Sequence, residues 1–403
     1  MSEQESSEIN TSTFREEVRE WLSANFPTSL QGQGIGDEGD KKDFKEWRLK
    51  LANKGWGAPT WPTEYGGGGL TQTEARIIDD EMIAAGAFNP ISGLSGMGIT
   101  MVGPTILEYG TEDQKNRHLP GIASGEIRWC LGRSEPNAGS DLASLSTKAE
   151  DDGDSYLING QKIWTSGANI SQWCGALVRT DSKAGKRDGI SFVLLPMDQA
   201  GVETRPIKLI AGASPFCETY FNDAAADKKD LLGNLNDGWS VIKRLLQHER
   251  QSQTGSRSAG TASKPEPIQD MALRYAGADE KGRLADPDLR GRIANYLMDA
   301  SAHSLTIARI TAEAKGNVNV SAAASILKNS ATQVAQTKAE LTVELMGTQG
   351  LGWEGNDFTQ QELGHVREWL SGKAMSIYGG SFEVQNNIIS KNILGLPETT
   401  QKG

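Results

Sequence analysis

Cysteine and histidine are scarce in this sequence. The 403 residues include three cysteines and four histidines, and no two cysteines form a C-x-x-C pair. This spacing excludes a zinc site of the usual kind, so we expect no bound metal. The length of the chain excludes a miniature scaffold held together by disulfides. We expect Cys130, Cys174 and Cys217 to be buried free thiols in a reducing compartment.

Long apolar runs and an excess of positive charge are also missing. No window approaches the roughly 20 apolar residues of a membrane span, and the first ten residues, MSEQESSEIN, are acidic rather than basic. The formal net charge is -11, and residues 236–403 carry equal numbers of acidic and basic side chains, so the acidic excess lies before them. We expect a cytoplasmic protein that binds neither a membrane nor nucleic acid.

Hydrophobic periodicity divides the chain into three blocks. Up to about residue 125, apolar residues recur every three or four positions, as Phe14, Val18 and Leu22 do in FREEVREWLSANF. Alternating patterns with tight turns follow, and helical periodicity then returns. The predicted fold class is α+β, with an N-terminal α-helical domain (1–125), a middle antiparallel β domain (126–235) and a C-terminal α-helical domain that resembles a four-helix bundle (236–403).

Local signals refine this prediction. Asn159-Gly160 between SYLI and QKIW predicts a β-hairpin with a type I′ turn, which needs positive φ at both central residues. Asp286 followed by Pro287 predicts an N-cap and the first position of a helix. Ser381 is predicted to cap the last helix.

A glycine pattern near the N-terminus has the spacing of a dinucleotide-binding loop. Gly34, Gly36 and Gly39 match G-x-G-x-x-G, but the residues before them do not form a predicted strand. Asp37 and Glu38 inside the loop would also repel a pyrophosphate. We therefore expect an acidic surface loop here.

The segment RSEPNAGSD, residues 133–141, is a better candidate for ligand binding. Its small residues leave backbone N–H groups accessible to an anion, and it lies at the predicted junction of helical and β blocks. Trp164 and Ser166, about 25 residues later, would place an aromatic wall beside a hydroxyl. A planar cofactor with a phosphate tail needs both features. On spacing alone, a structural tryptophan and a polar turn explain the same residues.

Glu249 is the acidic residue that stands out. On a helical wheel starting at Trp239, it falls among the apolar positions, which include Val241, Ile242 and Leu245. A buried carboxylate is disfavoured as an anion, which strengthens it as a general base. An ion pair with Arg250 or another cation is an equal alternative.

Three motifs in order resemble the acyl-CoA dehydrogenase family, from about Phe14 to Pro397: EYGGGGLTQTEARI, LGRSEPNAGSDLASL with DSYLINGQKIWTSGA, and IYGGSFEVQNNIISKNILGLP. The resemblance implies FAD as cofactor, an acyl-CoA substrate and α,β-dehydrogenation as the reaction. It also implies electron transfer to an electron-transferring flavoprotein, assembly as a homodimer or tetramer, and a role in fatty acid or steroid side-chain catabolism.

The resemblance assigns cofactor-binding roles by position. Residues matching motifs that line the flavin and its pyrophosphate are Leu131, Ser134, Gly139, Ser140, Trp164 and Ser166. Residues matching the segment that approaches the nucleotide end of FAD are Gly380, Ser381 and Glu383.

The same resemblance makes Glu249 the catalytic base. Many members carry the base as Glu in a Y-E-G-[ST] segment, where this chain has Gly379. A second branch takes it from an E-R sequence on the helix that opens the C-terminal block, and HER places Glu249 there. GWGAPTWP, LLQHER and YGGS are most similar to segments of pimeloyl-type and steroid side-chain dehydrogenases.

Several positions depart from the family pattern. The R-x-x-F-G segment that usually reaches FAD is not visible, Glu344 replaces a usual Gln, and Arg133 replaces a common aromatic residue. Two alternatives to an active dehydrogenase stay open. Because Gly379 leaves one base position empty and some family members work as unlike pairs, the chain could be a catalytically silent subunit paired with a second acyl-CoA dehydrogenase chain. The other alternative is a relative that keeps only the fold and acts as a scaffold or nucleic-acid protein.

Overall fold

A computed structural model describes residues 3–31, 42–255, 266–315 and 323–397. Their contacts form two compact units, the first within Met1–Ile207 and Pro215–Lys264, the second within Lys208–Ser214 and Pro265–Gly403. The predicted glycine loop at Gly34, Gly36 and Gly39 lies outside the described residues. None of the helices in the described ranges is long and apolar enough to cross a bilayer.

The first unit starts with helices at α1 (Glu3–Asn25), α2 (Lys42–Asn53), α3 (Gln72–Ala84), α4 (Pro90–Leu94), α5 (Gly103–Tyr109) and α6 (Glu112–Ala123). The apolar stripe predicted on α1 is buried, with Val18 and Leu22 at 0% and 2% exposure. It packs against Trp47 and Phe88 in one core. Burying such large side chains removes much apolar surface from water, which is the main stabilising contribution here.

An eight-stranded sheet follows in the same unit. Its strands are β1 (Trp129–Gly132), β2 (Lys148–Asp152), β3 (Ser155–Ser166), β4 (Trp173–Arg179), β5 (Ile190–Pro196), β6 (Val202–Ile207), β7 (Phe216–Asp227) and β8 (Leu231–Leu232). The spatial order is β6-β7-β3-β2-β4-β5-β8, and β1 pairs with β4. Most pairs are antiparallel, as predicted, but β1 and β2 each run parallel to β4. Cys130, Cys174 and Cys217 are buried free thiols, as predicted.

The hairpin predicted at Asn159-Gly160 is wrong. Both residues lie inside β3, which runs without a turn from Ser155 to Ser166. The pairing of β3 with β7 shifts register between Ile158 and Gly160. Gly160 is needed because a Cβ there would lie 2.6 Å from the Thr147 hydroxyl. Asn159-Gly160 thus marks a β-bulge at which the backbone of β3 lies close to Thr147. Glycine permits this arrangement as well as a type I′ turn.

Helix α7 (Gly238–Gly255) completes the first unit, and the second unit contains α8 (Ile268–Ala276), α9 (Pro287–Lys315), α10 (Ala323–Leu345), α11 (Gln360–Gly372) and α12 (Phe382–Asn392). Helix α10 packs against each of the other helices of that unit. Asp286 caps α9 as predicted, since its carboxylate accepts hydrogen bonds from the Asp288 and Leu289 N–H groups at 2.9 and 3.0 Å. These elements confirm the α+β class, while the three domain boundaries stay predictions.

Candidate active site

The segment after β1 is attached to β3 in the first unit. The Ile163 N–H donates to the Ser134 carbonyl at 2.9 Å, and the Lys162 ammonium donates to the Arg133 carbonyl at 3.4 Å. The Ser134 side chain is half-buried. The structure therefore brings Ser134 to the part of β3 that carries Trp164 and Ser166, as the two motifs require.

A buried ion pair fixes this segment. The Lys162 ammonium, with its residue 0% exposed, lies 2.8 Å from a Glu135 carboxylate oxygen. Glu135 also accepts hydrogen bonds from the Ser146 and Thr147 N–H groups at 2.7 and 2.9 Å. Burial alone would raise the pKa of Glu135, but the Lys162 charge and these hydrogen bonds outweigh burial and lower the pKa to about 2. Glu135 is therefore a fixed anion with a positioning role.

Trp164 combines a strained backbone with an exposed side chain. Its φ is 60°, a left-handed value that is costly for a bulky residue, and 53% of its surface is exposed. The strand pairing shifts register between Lys162 and Thr165, both of which are buried, so the bulge turns Trp164 outward. An edge-to-face contact with Phe216, at 6.1 Å between ring centroids, supports the indole. A structural tryptophan would be buried, so the exposed ring favours a ligand wall.

The other motif residues of the first unit differ in accessibility. Ser166 ends β3 and is half-buried, whereas Leu131 is 6% exposed and packs in the core. Gly139 and Ser140 are exposed after a tight turn closed by hydrogen bonds between the Glu135 and Ala138 backbones. A Cβ on Gly139 would have no neighbour within 4 Å, so the space beside it is open.

Close packing on the sheet positions helix α7. A Cβ on Gly238 would lie 2.4 Å from the Ser191 backbone, so only glycine lets the helix begin this close to the sheet. Val241, Ile242 and Leu245 are each 0% exposed, in one core with Phe192 of β5. These contacts fix the axial position of the helix that carries Glu249.

The polar face of α7 is held by Glu108 of α5. The Arg244 guanidinium donates to both Glu108 carboxylate oxygens at 2.6 Å, and His248 Nε2 lies 3.3 Å from one of them. Hydrogen bonding from Arg244 is the largest cause of the lowered pKa of Glu108. The pair restrains rotation of α7, because it acts on the face opposite the apolar one.

Glu249 forms an ion pair with Arg133. The Arg133 Nη1 atom lies 2.7 Å from Glu249 Oε2, and the two side chains are 28% and 12% exposed. The pair links α7 to the segment after β1, and Glu249 is mostly shielded from water. Sequence reasoning weighed an ion pair of Glu249 with Arg250 or another cation as an equal alternative to the role of base. An ion pair with another cation, Arg133, is present, and the Arg250 side chain lies outside the described residues.

The remaining predicted residues belong to the second unit. Gly379 and Gly380 have φ values of 65° and 89° and form the turn before α12. The Ser381 hydroxyl caps α12 by accepting from the Val384 N–H at 3.4 Å, as predicted. Glu383 is exposed in the first turn, and hydrogen bonding from Ser381 lowers its pKa.

Sequence reasoning missed three positioning residues. Glu135 lies in the motif RSEPNAGSD but was given no role of its own. Lys162 was not singled out, although a lysine at an inward-facing position of an alternating strand indicates a buried partner. Glu108 gave no signal, because its partner Arg244 lies 136 residues away.

The chain matches family models along most of its length. Residues 10–126 match the acyl-CoA dehydrogenase N-terminal domain, residues 130–224 the middle domain, and residues 236–394 the C-terminal domain.

Curated relatives and solved structures agree with these matches. The acyl-CoA dehydrogenase IpdE1 of Mycolicibacterium smegmatis is 35% identical over 96% of this chain and 98% of its own. The steroid acyl-CoA dehydrogenase Tcur3481-Tcur3483 has a TM-score of 0.75 at 29% identity, covering 97% of this chain and 98% of that one. The ChsE4-ChsE5 complex of Mycobacterium tuberculosis has a TM-score of 0.73 at 28% identity, with the same coverage. The resemblance read from the motifs is thereby confirmed: the chain belongs to the acyl-CoA dehydrogenase family, whose members are flavoprotein oxidoreductases.

Proposed function

We propose that this protein is an FAD-dependent dehydrogenase that introduces an α,β double bond into an acyl-CoA thioester, with Glu249 as the base. The observation that carries the proposal is a largely buried carboxylate, 12% exposed, held on α7 in the unit that also presents the exposed Trp164. A firmly packed helix gives this carboxylate a fixed position, which a general base needs.

The residues of the first unit fit the flavin end of FAD. The exposed Trp164 offers an aromatic wall, and Ser134 and Ser166 offer hydroxyl groups on neighbouring segments. The open space beside Gly139 allows phosphate oxygens to approach the backbone, and Leu131 gives apolar support from β1. When bound, FAD supplies the acceptor for the hydride that leaves the β carbon.

The residues at α12 suit a different part of the cofactor. The Ser381 hydroxyl is already engaged in capping, and Glu383 adds a negative charge at the helix start, which disfavours phosphate. A carboxylate can accept hydrogen bonds from ribose hydroxyls. We therefore assign Gly380, Ser381 and Glu383 to the nucleoside end of FAD and not to its pyrophosphate.

Within this reaction, the chain's own residues move one proton. Glu249 accepts the proton from the α carbon, while the pair of electrons leaves the β carbon with its hydrogen as hydride. The substrate loses two hydrogens, and both electrons then pass to an electron-transferring flavoprotein. Glu108 and the buried face of α7 keep Glu249 from shifting during the transfer.

A second candidate is a catalytically silent subunit of a heteromeric dehydrogenase. Two similar solved structures are named as pairs of different chains, ChsE4-ChsE5 and Tcur3481-Tcur3483. Gly379 also leaves the more common base position without a side chain. The second unit exposes large apolar residues, including Met298, Leu305 and Ile377 at 68%, 70% and 71%, which supports contact with another chain, like or unlike.

Anaerobic flavin reduction separates the two candidates. We expect the purified chain to contain FAD and to be bleached by a suitable acyl-CoA, with electrons then accepted by an electron-transferring flavoprotein. Co-purification with a second dehydrogenase chain, and no bleaching unless that chain carries an intact base, would favour the silent subunit. The three buried free thiols support a reducing compartment, and we place the enzyme in the cytoplasm.

A further inference from the structure

The Arg133 guanidinium has more hydrogen-bond donors than it uses. Its Nη1 atom donates to Glu249 Oε2 at 2.7 Å, and no second hydrogen bond of this side chain is formed within the residues that the structure describes. Of the five N–H donors of an arginine, four therefore remain available. Because the side chain is only 28% exposed, a partly shielded cation with spare donors lies beside the proposed base.

The acidic groups near Arg133 do not use these donors. Glu135, in the same segment, is engaged by the Lys162 ammonium and by the Ser146 and Thr147 N–H groups. Arg133 donates to one oxygen of Glu249 and not to both. A carboxylate has about four lone-pair sites, and this hydrogen bond takes one of them. The ion pair therefore does not by itself prevent Glu249 from accepting a proton.

Proton transfer changes the charges beside Arg133. When the α C–H bond of the thioester breaks, the proton goes to Glu249 and the electron pair delocalises toward the thioester carbonyl oxygen. Glu249 becomes neutral, and the thioester gains the negative charge that Glu249 loses. A partly buried guanidinium without an anion carries a desolvation penalty. Arg133 is therefore best satisfied when the new anion becomes its partner in the same step.

The thioester carbonyl oxygen lies within reach of this guanidinium. It is two bonds from the α carbon, and the α carbon has to contact Glu249 for proton transfer. Glu249 is itself in contact with Arg133. The pyrophosphate of FAD is a less suitable partner, because it is assigned above to the open space at Gly139 and the neighbouring Ser140 and is separated from the flavin ring by the ribityl chain.

We infer that Arg133 is a catalytic residue, which donates a hydrogen bond to the thioester carbonyl oxygen and stabilises the negative charge that develops there as Glu249 takes the α proton. This inference rests on the proposed function and adds a second residue to its mechanism. A charged donor held in place before the reaction is worth more than one that must reorient. An aromatic residue, which the family commonly has at this position, carries no positive charge, so this stabilisation is specific to chains with a cation here.

Analogues with sulfur in place of the β carbon test the inference without hydride transfer. Such 3-thia-acyl-CoA thioesters can lose an α proton, but they have no β C–H bond that could give a hydride. A panel with short, long, branched and sterol side-chain acyl groups is incubated in D2O with the FAD-loaded protein and any chain that co-purifies. Mass spectrometry follows deuterium uptake at the α carbon. We expect exchange of at least one analogue by the wild type and none by Glu249→Gln.

Substitution of Arg133 identifies its contribution. Arg133→Gln should slow the exchange by about 10²-fold and raise the pKa of the bound α C–H group by about 1–2. The enolate beside oxidised FAD absorbs at long wavelength, so a spectrophotometric pH titration measures this pKa. A residue that only positioned Glu249 would change the rate and leave the pKa unchanged. Arg133→Lys should keep part of both effects, because the charge remains.

Arg205→Gln is the matched control. Arg205 also pairs with a glutamate, Glu203, at 2.7 Å on β6. We expect this variant to keep the wild-type rate of exchange, the wild-type pKa of the bound analogue and its FAD.

The outcomes separate the inference from the proposed function. An unchanged pKa of the bound analogue in Arg133→Gln overturns the inference, whether or not exchange is slowed. Loss of FAD from Arg133→Gln and Arg133→Lys, with FAD retained by Arg205→Gln, places Arg133 at the pyrophosphate and also overturns it. No exchange of any analogue by the wild type overturns it as well, and flavin reduction by ordinary thioesters would then keep the dehydrogenase assignment. Exchange that depends on Arg133, without flavin reduction by any thioester, rejects the dehydrogenase assignment alone.

Discussion

Arg133 and Glu249 are 116 residues apart in the chain, yet their side chains meet at 2.7 Å. The first follows strand β1 and the second lies on helix α7, so the contact joins the proposed flavin-binding segment to the proposed base. Arg133, which stands where the family commonly has an aromatic residue, thus contacts Glu249, the proposed base.

The buried Lys162–Glu135 pair should be essential for stability. Glu135→Gln leaves the Lys162 ammonium buried without its counter-charge, and we expect the free energy of unfolding to fall by about 3–5 kcal/mol. Urea unfolding followed by circular dichroism measures the change. Glu203→Gln removes an exposed partner of Arg205 and is the control, with little change expected. Equal stability of both variants and wild type would contradict a buried pair.

The pH dependence of stability in acid should reveal the same Lys162–Glu135 ion pair. The pKa of Glu135 is about 2 in the folded chain, against about 4.3 for an unfolded glutamate. Because the folded value is depressed, the stabilisation is complete above about pH 4.3 and is lost as the pH falls toward 2. This difference between the two pKa values corresponds to about 3 kcal/mol of the free energy of unfolding. The stability gap between wild type and Glu135→Gln should therefore shrink over this range, and a constant gap would show that Glu135 titrates normally.

Trp164 should contribute to ligand binding more than to stability. Trp164→Gly relieves backbone strain of about 1–3 kcal/mol and loses a contact with Phe216 of about 0.5–1.5 kcal/mol. We expect the apoprotein to change in stability by less than about 1 kcal/mol once the added flexibility of glycine is included. FAD should dissociate about tenfold more readily, as fluorescence titration would show.

Trp47→Ala provides the comparison for this result. Trp47 is 0% exposed in the core of the N-terminal helices, so its truncation should cost about 3–5 kcal/mol. A loss of that size in Trp164→Gly, with unchanged FAD affinity, would make Trp164 a structural residue.

Glu108 should act on catalysis by positioning α7. Glu108→Gln weakens the two hydrogen bonds from Arg244, at a cost of about 0.5–1 kcal/mol because both side chains are more than a third exposed. A small shift of Glu249 should lower kcat by up to about tenfold and leave KM nearly unchanged. Steady-state kinetics measure the two constants separately. A proportional rise in KM with constant kcat would assign Glu108 to substrate binding instead.

Periodicity was sufficient for most elements, because burial follows the local pattern. The stripe on α1 and the caps at Asp286 and Ser381 depend on neighbouring residues alone. Asn159-Gly160 was misread because a bulge beside Thr147 and a type I′ turn favour the same residue types. The helical wheel singled out Glu249 correctly as a largely shielded carboxylate.

Long-range pairs could not be predicted in this way. Arg133 with Glu249 and Arg244 with Glu108 meet only after the fold has formed, and no local pattern records either pairing. The outward turn of Trp164 depends on a register shift between two distant strands, β3 and β7. The family motif identified Trp164, but its strained backbone and its exposed side chain are properties of the tertiary structure.

Glu249→Gln gives the most direct measurement of the proposed mechanism. The substitution keeps the size of the side chain and its hydrogen bonding to Arg133, so the fold and bound FAD should be retained. Stopped-flow absorbance under anaerobic conditions, with a thioester that bleaches the wild-type flavin, should show reduction slowed by at least about 10²–10⁴-fold. Bleaching at the wild-type rate by the variant would show that Glu249 is not the base.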